Sequence, residues 1–219
     1  SLFPHDTYKG HGLRKDLAEA IAELKPKFVR FPGGCMSHGQ GIDNIYHWNH
    51  TIGPLQDRKP DKNIWNYHQT RGLGFYEYFQ MCEDMGAEPL PVLAAGVPCQ
   101  NSRANAEGYG GQQGGIPMSE MPAYCQEILD MIEWANGDPA TSKWAKMRAD
   151  AGHPAPFNLK YVGVGNEDLI STDFEDRYLM ICKAIKAKYP NIIVCGTVGP
   201  FHDPSSDYIE GWKFAKQHS

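Results

Sequence analysis

Apolar residues recur along this chain in two alternating patterns. A helical spacing runs over about residues 13–24, with Leu17, Ile21 and Leu24 on one face, and Lys25-Pro26 ends it. Residues 27–31 then read as a buried strand, closed by Pro32-Gly33-Gly34. The pairing repeats. Residues 73–85 predict a helix with Phe75, Phe79 and Cys82 inward and Gly86 placed to terminate it, followed by a strand over 88–95. Pro89 and Pro91 argue against a central strand, although both lie near its start. A helix over 122–136 turns Tyr124, Ile128, Met131 and Ala135 to one side, Gly137 stops it, and 159–164 is the next strand. A helix over 174–188, with Tyr178, Ile181 and Ile185 inward, leads through Pro190 to an apolar strand at 192–196. A last helix begins near Asp207 and runs on to about Ser219.

Strict alternation of strand and helix implies a parallel sheet of βαβ units. The connections are unequal. Helix-to-strand links are short, except the stretch 138–158, whereas the strand-to-helix links 35–72 and 96–121 are long. In (β/α)8 barrels the loops at the C-terminal ends of the strands carry the active site. Here those loops hold Trp48, Trp65, His38, His47, His50 and His68 among many glycines and asparagines, a lining suited to sugar. A doubly wound sheet is the alternative, but no GxGxxG or GxxxxGK[ST] phosphate loop supports it. The α/β class and TIM-barrel type are therefore expected. Four complete strands are visible, with the tail of another at Ser1-Leu2-Phe3. A barrel needs eight. About half to five-eighths of a barrel is expected, with residues 1–219 a partial catalytic domain.

Composition narrows the function. The chain is 41% hydrophobic and 21% charged, and its formal net charge of -5 with no basic cluster argues against nucleic-acid binding. No apolar run is long enough to cross a bilayer, so no membrane partner is expected. The chain opens on Ser1-Leu2-Phe3-Pro4 without a signal-peptide pattern, and localisation stays open between cytoplasm and export. None of the six cysteines forms a CxxC pair. Cys82, Cys125 and Cys182 read as buried thiols, whereas Cys35 and Cys99 each follow a strand and are expected to lie near one another. The loop histidines lack metal-ligand spacing, so neither a metal nor a cofactor is expected. No GxSxG elbow marks a serine hydrolase.

Three features carry candidate chemistry. Glu167 ends the strand Tyr161-Val162-Gly163-Val164-Gly165-Asn166, where a carboxyl group can reach a leaving oxygen, and Asn166 adds an amide for a sugar hydroxyl. A strand-end glutamate is equally able to cap a turn or pair with an arginine. Arg30, inside an apolar strand, either anchors a buried ion pair or orients a catalytic carboxylate. Trp48 and Trp65 suit the apolar face of a sugar, but a loop tryptophan more often anchors its loop on the core.

At these residues the sequence resembles the family-51 α-L-arabinofuranosidases. The match is carried by FVRFPGGC at 28–35, WNHTIGPLQDR at 48–58, YVGVGNE at 161–167 and CEDMGAEPLPVLAA at 82–95. The resemblance implies a retaining glycosidase on a (β/α)8 barrel accompanied by a β-sandwich domain, acting on arabinose-containing polysaccharides such as arabinan or arabinoxylan. It implies Glu167 as general acid/base, Asn166 as a contact to the arabinose 2-hydroxyl, Arg30 beneath the nucleophile and Trp65 at the border of the pocket. Cys35 stands where many members have a sugar-binding asparagine, and it is counted with Asn166, Arg30 and Trp65 among the expected substrate-binding residues. The family nucleophile belongs to a seventh strand, beyond this chain; Asp203, in a loop, does not meet the requirement. The full-length protein is expected to form a homo-oligomer, and this piece to be inactive alone. Other retaining barrel glycosidases, of endoglucanase or xylosidase type, and a non-catalytic sugar-binding module are the competing readings.

Overall fold

The computed structural model describes residues 4–99, 114–201 and 205–218. The strand tail expected at Ser1-Leu2-Phe3 and the loop residue Asp203 lie outside them. In chain order the elements are α1 (Lys15–Glu23), β1 (Phe28–Phe31), α2 (Gly34–His38), β2 (Asp61–Lys62), β3 (His68–Gln69), α3 (Phe75–Met85), β4 (Glu88–Leu93), α4 (Met121–Asn136), α5 (Lys143–Asp150), β5 (Tyr161–Val164), α6 (Thr172–Lys188), β6 (Ile193–Cys195) and α7 (Ser206–His218). Each main element falls within a few residues of its sequence-based position.

The main sheet is parallel with strand order β1-β4-β5-β6, so successive strands of the βαβ series are always neighbours. Right-handed crossovers that all advance in one direction place every helix on the same face. A doubly wound sheet would reverse its order, and among the described strands no reversal occurs. Exposure follows this geometry. Phe31 is 1% exposed on the helical side of β1, whereas Phe28, three positions away on the other side, is 58% exposed. On β6, Ile193 is likewise 49% exposed on the open face.

Beneath the helices Phe31, Phe75, Phe79, Trp48, Trp134 and Phe157 form a continuous aromatic cluster. The predicted faces of α3 and α4 point into it. Gly86 adopts φ 66 as the left-handed cap of α3. The prolines of β4 are tolerated in a central strand for a topological reason. In a parallel strand alternate residues bond to opposite neighbours. The Glu88 N–H donates towards β1, to the Lys27 carbonyl, and the Leu93 carbonyl accepts from Gly165 on the β5 side. Pro89 and Pro91 therefore turn their missing donors towards β5, and pairing with β5 starts only at Val92.

Two expectations need correction. Leu17, Ile21 and Leu24 of the first helix are 53%, 43% and 79% exposed, because among the described residues no strand lies beneath that face of α1. The 138–158 stretch is not a plain loop but contains α5, capped by Ser142, whose hydroxyl accepts from the Ala145 N–H. Its anchor is the fully buried Arg148, which donates to the carbonyls of Trp134, Gly137, His153 and Pro154. Such a polar helix, held by an arginine rather than an apolar stripe, carries no periodic signal. No disulfide joins Cys35 to Cys99.

Candidate active site

The C-terminal ends of β1 and β5 meet through side chains. β1 runs through Arg30 into a cis Phe31–Pro32 peptide and then, at Gly33, into α2. β5 runs through Gly165 into Asn166-Glu167-Asp168. The Arg30 guanidinium donates from Nη2 to Asn166 Oδ1 at 2.6 Å. That contact fixes the amide, because an oxygen taken by arginine leaves the Nδ2 group as the outward donor.

Two glycines make the approach possible. A Cβ on Gly34 would stand 2.3 Å from the Asn166 amide carbon and oxygen, so only glycine lets α2 close on it. A Cβ on Gly165, whose φ is 84, would stand 2.1 Å from Asp168 Oδ2. That oxygen accepts the Asn166 backbone N–H at 2.8 Å. Between them Glu167 adopts φ 50, a left-handed conformation that costs a non-glycine residue about 1–2 kcal/mol. The strained turn is held from below: Asp168 is completely buried, and its Oδ1 lies 3.2 Å from Nε2 of the equally buried His38. The pair is close, but not aligned as a hydrogen bond, and both His38 ring nitrogens lack one. The contact is therefore one of close packing. Further along, the Ile170 N–H donates to Asp207 Oδ1 at 3.0 Å, tying the loop to α7.

The structure thus brings together Arg30, Asn166, Glu167 and the segment bearing Cys35. Arg30 and Glu167 are exposed, and Asn166 and Cys35 are half-buried. Trp65 stands apart. It sits between β2 and β3, 57% exposed, with its backbone N–H on Asn63 Oδ1. Asn63 of its hairpin approaches α2, with Nδ2 3.8 Å from Met36 Sδ. Trp48, by contrast, is fully buried, and its indole N–H donates to the Glu127 carbonyl.

The loop histidines do not gather into one site: His38 faces Asp168, His47 meets Glu127 and lies 5.0 Å ring to ring from His50, which approaches Lys59, and His68 lies in the hairpin. Among the described residues no group of acidic, histidine or cysteine side chains is arranged to hold a metal. Nor is any helix long and apolar enough to cross a membrane. Sequence reasoning did not pair His38 with Asp168. Their signal was faint: an acidic residue directly after Asn166-Glu167, and a histidine one turn beyond the paired glycines.

Comparison with known proteins places these residues in context. The chain is 43% identical to the extracellular exo-α-L-arabinofuranosidase of Streptomyces chartreusis, a match covering 99% of this chain and 26% of that protein. It is 41% identical to α-L-arabinofuranosidase 1 of Arabidopsis thaliana, covering 96% of this chain and 30% of that protein. In three dimensions it superimposes on an arabinose-bound family-51 α-L-arabinofuranosidase with a TM-score of 0.78 at 37% identity, over 91% of this chain and 30% of the other. The chain therefore spans between a quarter and a third of the length of these relatives. Residues 20–219 match the family profile described as the α-L-arabinofuranosidase 1 domain, and the chain belongs to that family.

Proposed function

We propose that this chain is the part of a retaining α-L-arabinofuranosidase that carries its general acid/base, Glu167. The singly wound sheet, open on one face, fits about half to five-eighths of a (β/α)8 barrel. On this reading residues 1–219 form a partial catalytic domain, and the remaining strands and a β-sandwich domain belong to the rest of a longer polypeptide. The substrate is a terminal α-L-arabinofuranosyl group on a plant polysaccharide such as arabinan or arabinoxylan.

The observation that carries the proposal is the Arg30–Asn166 contact beside Glu167, at the strand ends where barrel enzymes assemble their sites. Glu167 protonates the glycosidic oxygen as the bond breaks, then takes a proton from the water that releases the sugar. Asn166, its Oδ1 committed to Arg30, offers Nδ2–H to the sugar 2-hydroxyl, a bond that strengthens as the oxocarbenium ion develops. Arg30, held at the end of β1, also has donors to spare for the attacking carboxylate. That second carboxyl group, about 5–5.5 Å from the first in retaining enzymes, comes from another strand of the full polypeptide. Residues 1–219 alone are accordingly inactive. Trp65, exposed on its hairpin, borders the sugar pocket, and Cys35 lines it beside Gly34.

A panel of 4-nitrophenyl glycosides on the full-length protein tests the assignment. Turnover of the α-L-arabinofuranoside well above the β-xyloside and β-glucoside is expected. Preference for either pyranoside, or no turnover of any, would overturn it.

A further inference from the structure

His38 closes α2 with a completely buried side chain, and among the described residues neither ring nitrogen has a hydrogen-bond partner. Burying an imidazole in that state is unfavourable, and an apolar side chain of similar size would fill the space without the penalty. What the imidazole has, and an apolar group lacks, is Nε2 set 3.2 Å from Asp168 Oδ1. That distance is within hydrogen-bonding reach, and only the alignment is missing. Hydrogen bonds that serve catalysis are often poorly aligned in the free enzyme and tighten in its complexes.

α2 meets the acid/base turn at both of its ends. At its start, Gly34 comes so close to the Asn166 amide that an added Cβ would stand 2.3 Å from it; at its end, His38 meets Asp168. The helix is itself held in place. The Ser37 hydroxyl donates to the Gly34 carbonyl at 2.7 Å, and the Ser37 carbonyl accepts the Tyr46 N–H at 3.2 Å. Gly39, at φ 67, packs so tightly on the Asn44 carbonyl that no Cβ fits. A retreat of His38 from Asp168 would have to move the segment behind it.

Asp168 passes this constraint on to the site. Its Oδ2 accepts the Asn166 N–H at 2.8 Å and lies where a Cβ on Gly165 would come within 2.1 Å. Glu167 sits between Asn166 and Asp168 at φ 50. Strained backbone of this kind persists only where its surroundings over-determine it. A carboxylate free to turn would swing Oδ2 off the Asn166 N–H, and a donor on Oδ1 opposes that rotation. The placement matters for the chemistry, because a misplacement of about 1 Å can lower a rate roughly 100-fold.

We propose that His38 is a positioning residue for the reaction: in the working site its Nε2–H donates to Asp168 Oδ1 and locks the carboxylate that holds the Asn166–Glu167 turn. This deepens the arabinofuranosidase reading and rests on it. Variants of the full-length protein test it. His38→Leu fills the space without a donor, His38→Gln returns an amide nitrogen to the neighbourhood of Nε2, and His38→Asn carries one that stops short. His38→Leu should lower kcat on a linear arabino-oligosaccharide about 10–100-fold with little change in KM. The loss should be smaller on 4-nitrophenyl α-L-arabinofuranoside, whose leaving group needs less protonation. His38→Gln should recover most of it. His38→Asn should not, and it takes the place of His38→Leu if that variant does not fold. Amide hydrogen exchange gives a reading independent of the substrate. In His38→Leu the Asn166 N–H should exchange about tenfold faster, as for one weakened hydrogen bond. The neighbouring Gly165 N–H, bonded to the Leu93 carbonyl, should stay as protected as in the parent. Equal kinetic losses on both substrates overturn the proposal, and so do Asn166 and Gly165 amides that change together or not at all. If the parent hydrolyses no arabinoside, the arabinofuranosidase reading fails instead, and the exchange comparison alone decides the role of His38.

Discussion

Nη2 of Arg30 lies 2.6 Å from Oδ1 of Asn166, although 136 positions separate the two in sequence. The contact joins the first and third strands of the βαβ series above the strand between them. It also decides which end of the Asn166 amide faces a ligand. In the full-length protein, Arg30→Met should free the amide to rotate and lower kcat/KM on an aryl arabinofuranoside about 10–100-fold, the range for a hydrogen bond to a charged group. Arg30→Lys should recover only part of this, since a point charge cannot replace the planar fork. Steady-state kinetics of both variants check it; wild-type kcat/KM in Arg30→Met contradicts it.

Gly34 offers a sharper steric test. Its added Cβ would fall 2.3 Å from the Asn166 amide, while neither group is part of the packed core. Gly34→Ala should therefore lower activity at least tenfold with little change in melting temperature. A large loss of stability without a matching loss in activity would show that the close approach serves folding and not the site.

Asp168 should act as a positioning residue. Its Oδ2 holds the Asn166 N–H, and its burial leaves no water to replace it. Asp168→Ala should lower kcat more than KM, and more for poor leaving groups than for nitrophenyl, because Glu167 would lose its aim. Asp168→Asn, which retains an acceptor, should fall between Ala and wild type. Equal losses on good and poor leaving groups would count against it.

His50 gives a pH signature. Burial first, then the neighbouring His47 and Lys59, hold its imidazolium form below the ordinary histidine range. A histidine depressed in the folded state is penalised when it protonates. Its contribution to stability is thus intact above the unfolded pKa of about 6.5 and is lost as pH falls from there towards the folded value. NMR titration of the imidazole should give a midpoint below 6.5. A midpoint above it contradicts the assignment.

Much of this architecture was legible in sequence because it rests on apolar periodicity. Phe75, Phe79 and Cys82 of α3, and Ile128 and Met131 of α4, are buried as their spacing implies. The strand-end placement of Arg30 and Glu167 was legible for the same reason. Elements held by polar contacts were not. Arg148 organises α5 by serving four carbonyls, which leaves no apolar stripe to read. The His38–Asp168 pair was invisible because its partners are 130 residues apart and meet only when β1 and β5 are placed in one sheet. The exposed face of α1 misled in the opposite sense. Its periodicity is genuine, but among the described residues that face stays exposed.

The role of Glu167 is tested most directly by Glu167→Ala in the full-length protein, assayed on a natural arabinoside and on 4-nitrophenyl α-L-arabinofuranoside, with and without azide. Loss of a general acid/base lowers rates by about 10²–10⁴-fold. The natural substrate, whose leaving group needs a proton, should show the larger loss, and the aryl substrate the smaller. Azide should restore part of the aryl turnover by attacking the glycosyl-enzyme without base assistance, giving an arabinosyl azide product. An unchanged rate on the natural arabinoside would remove Glu167 from the mechanism.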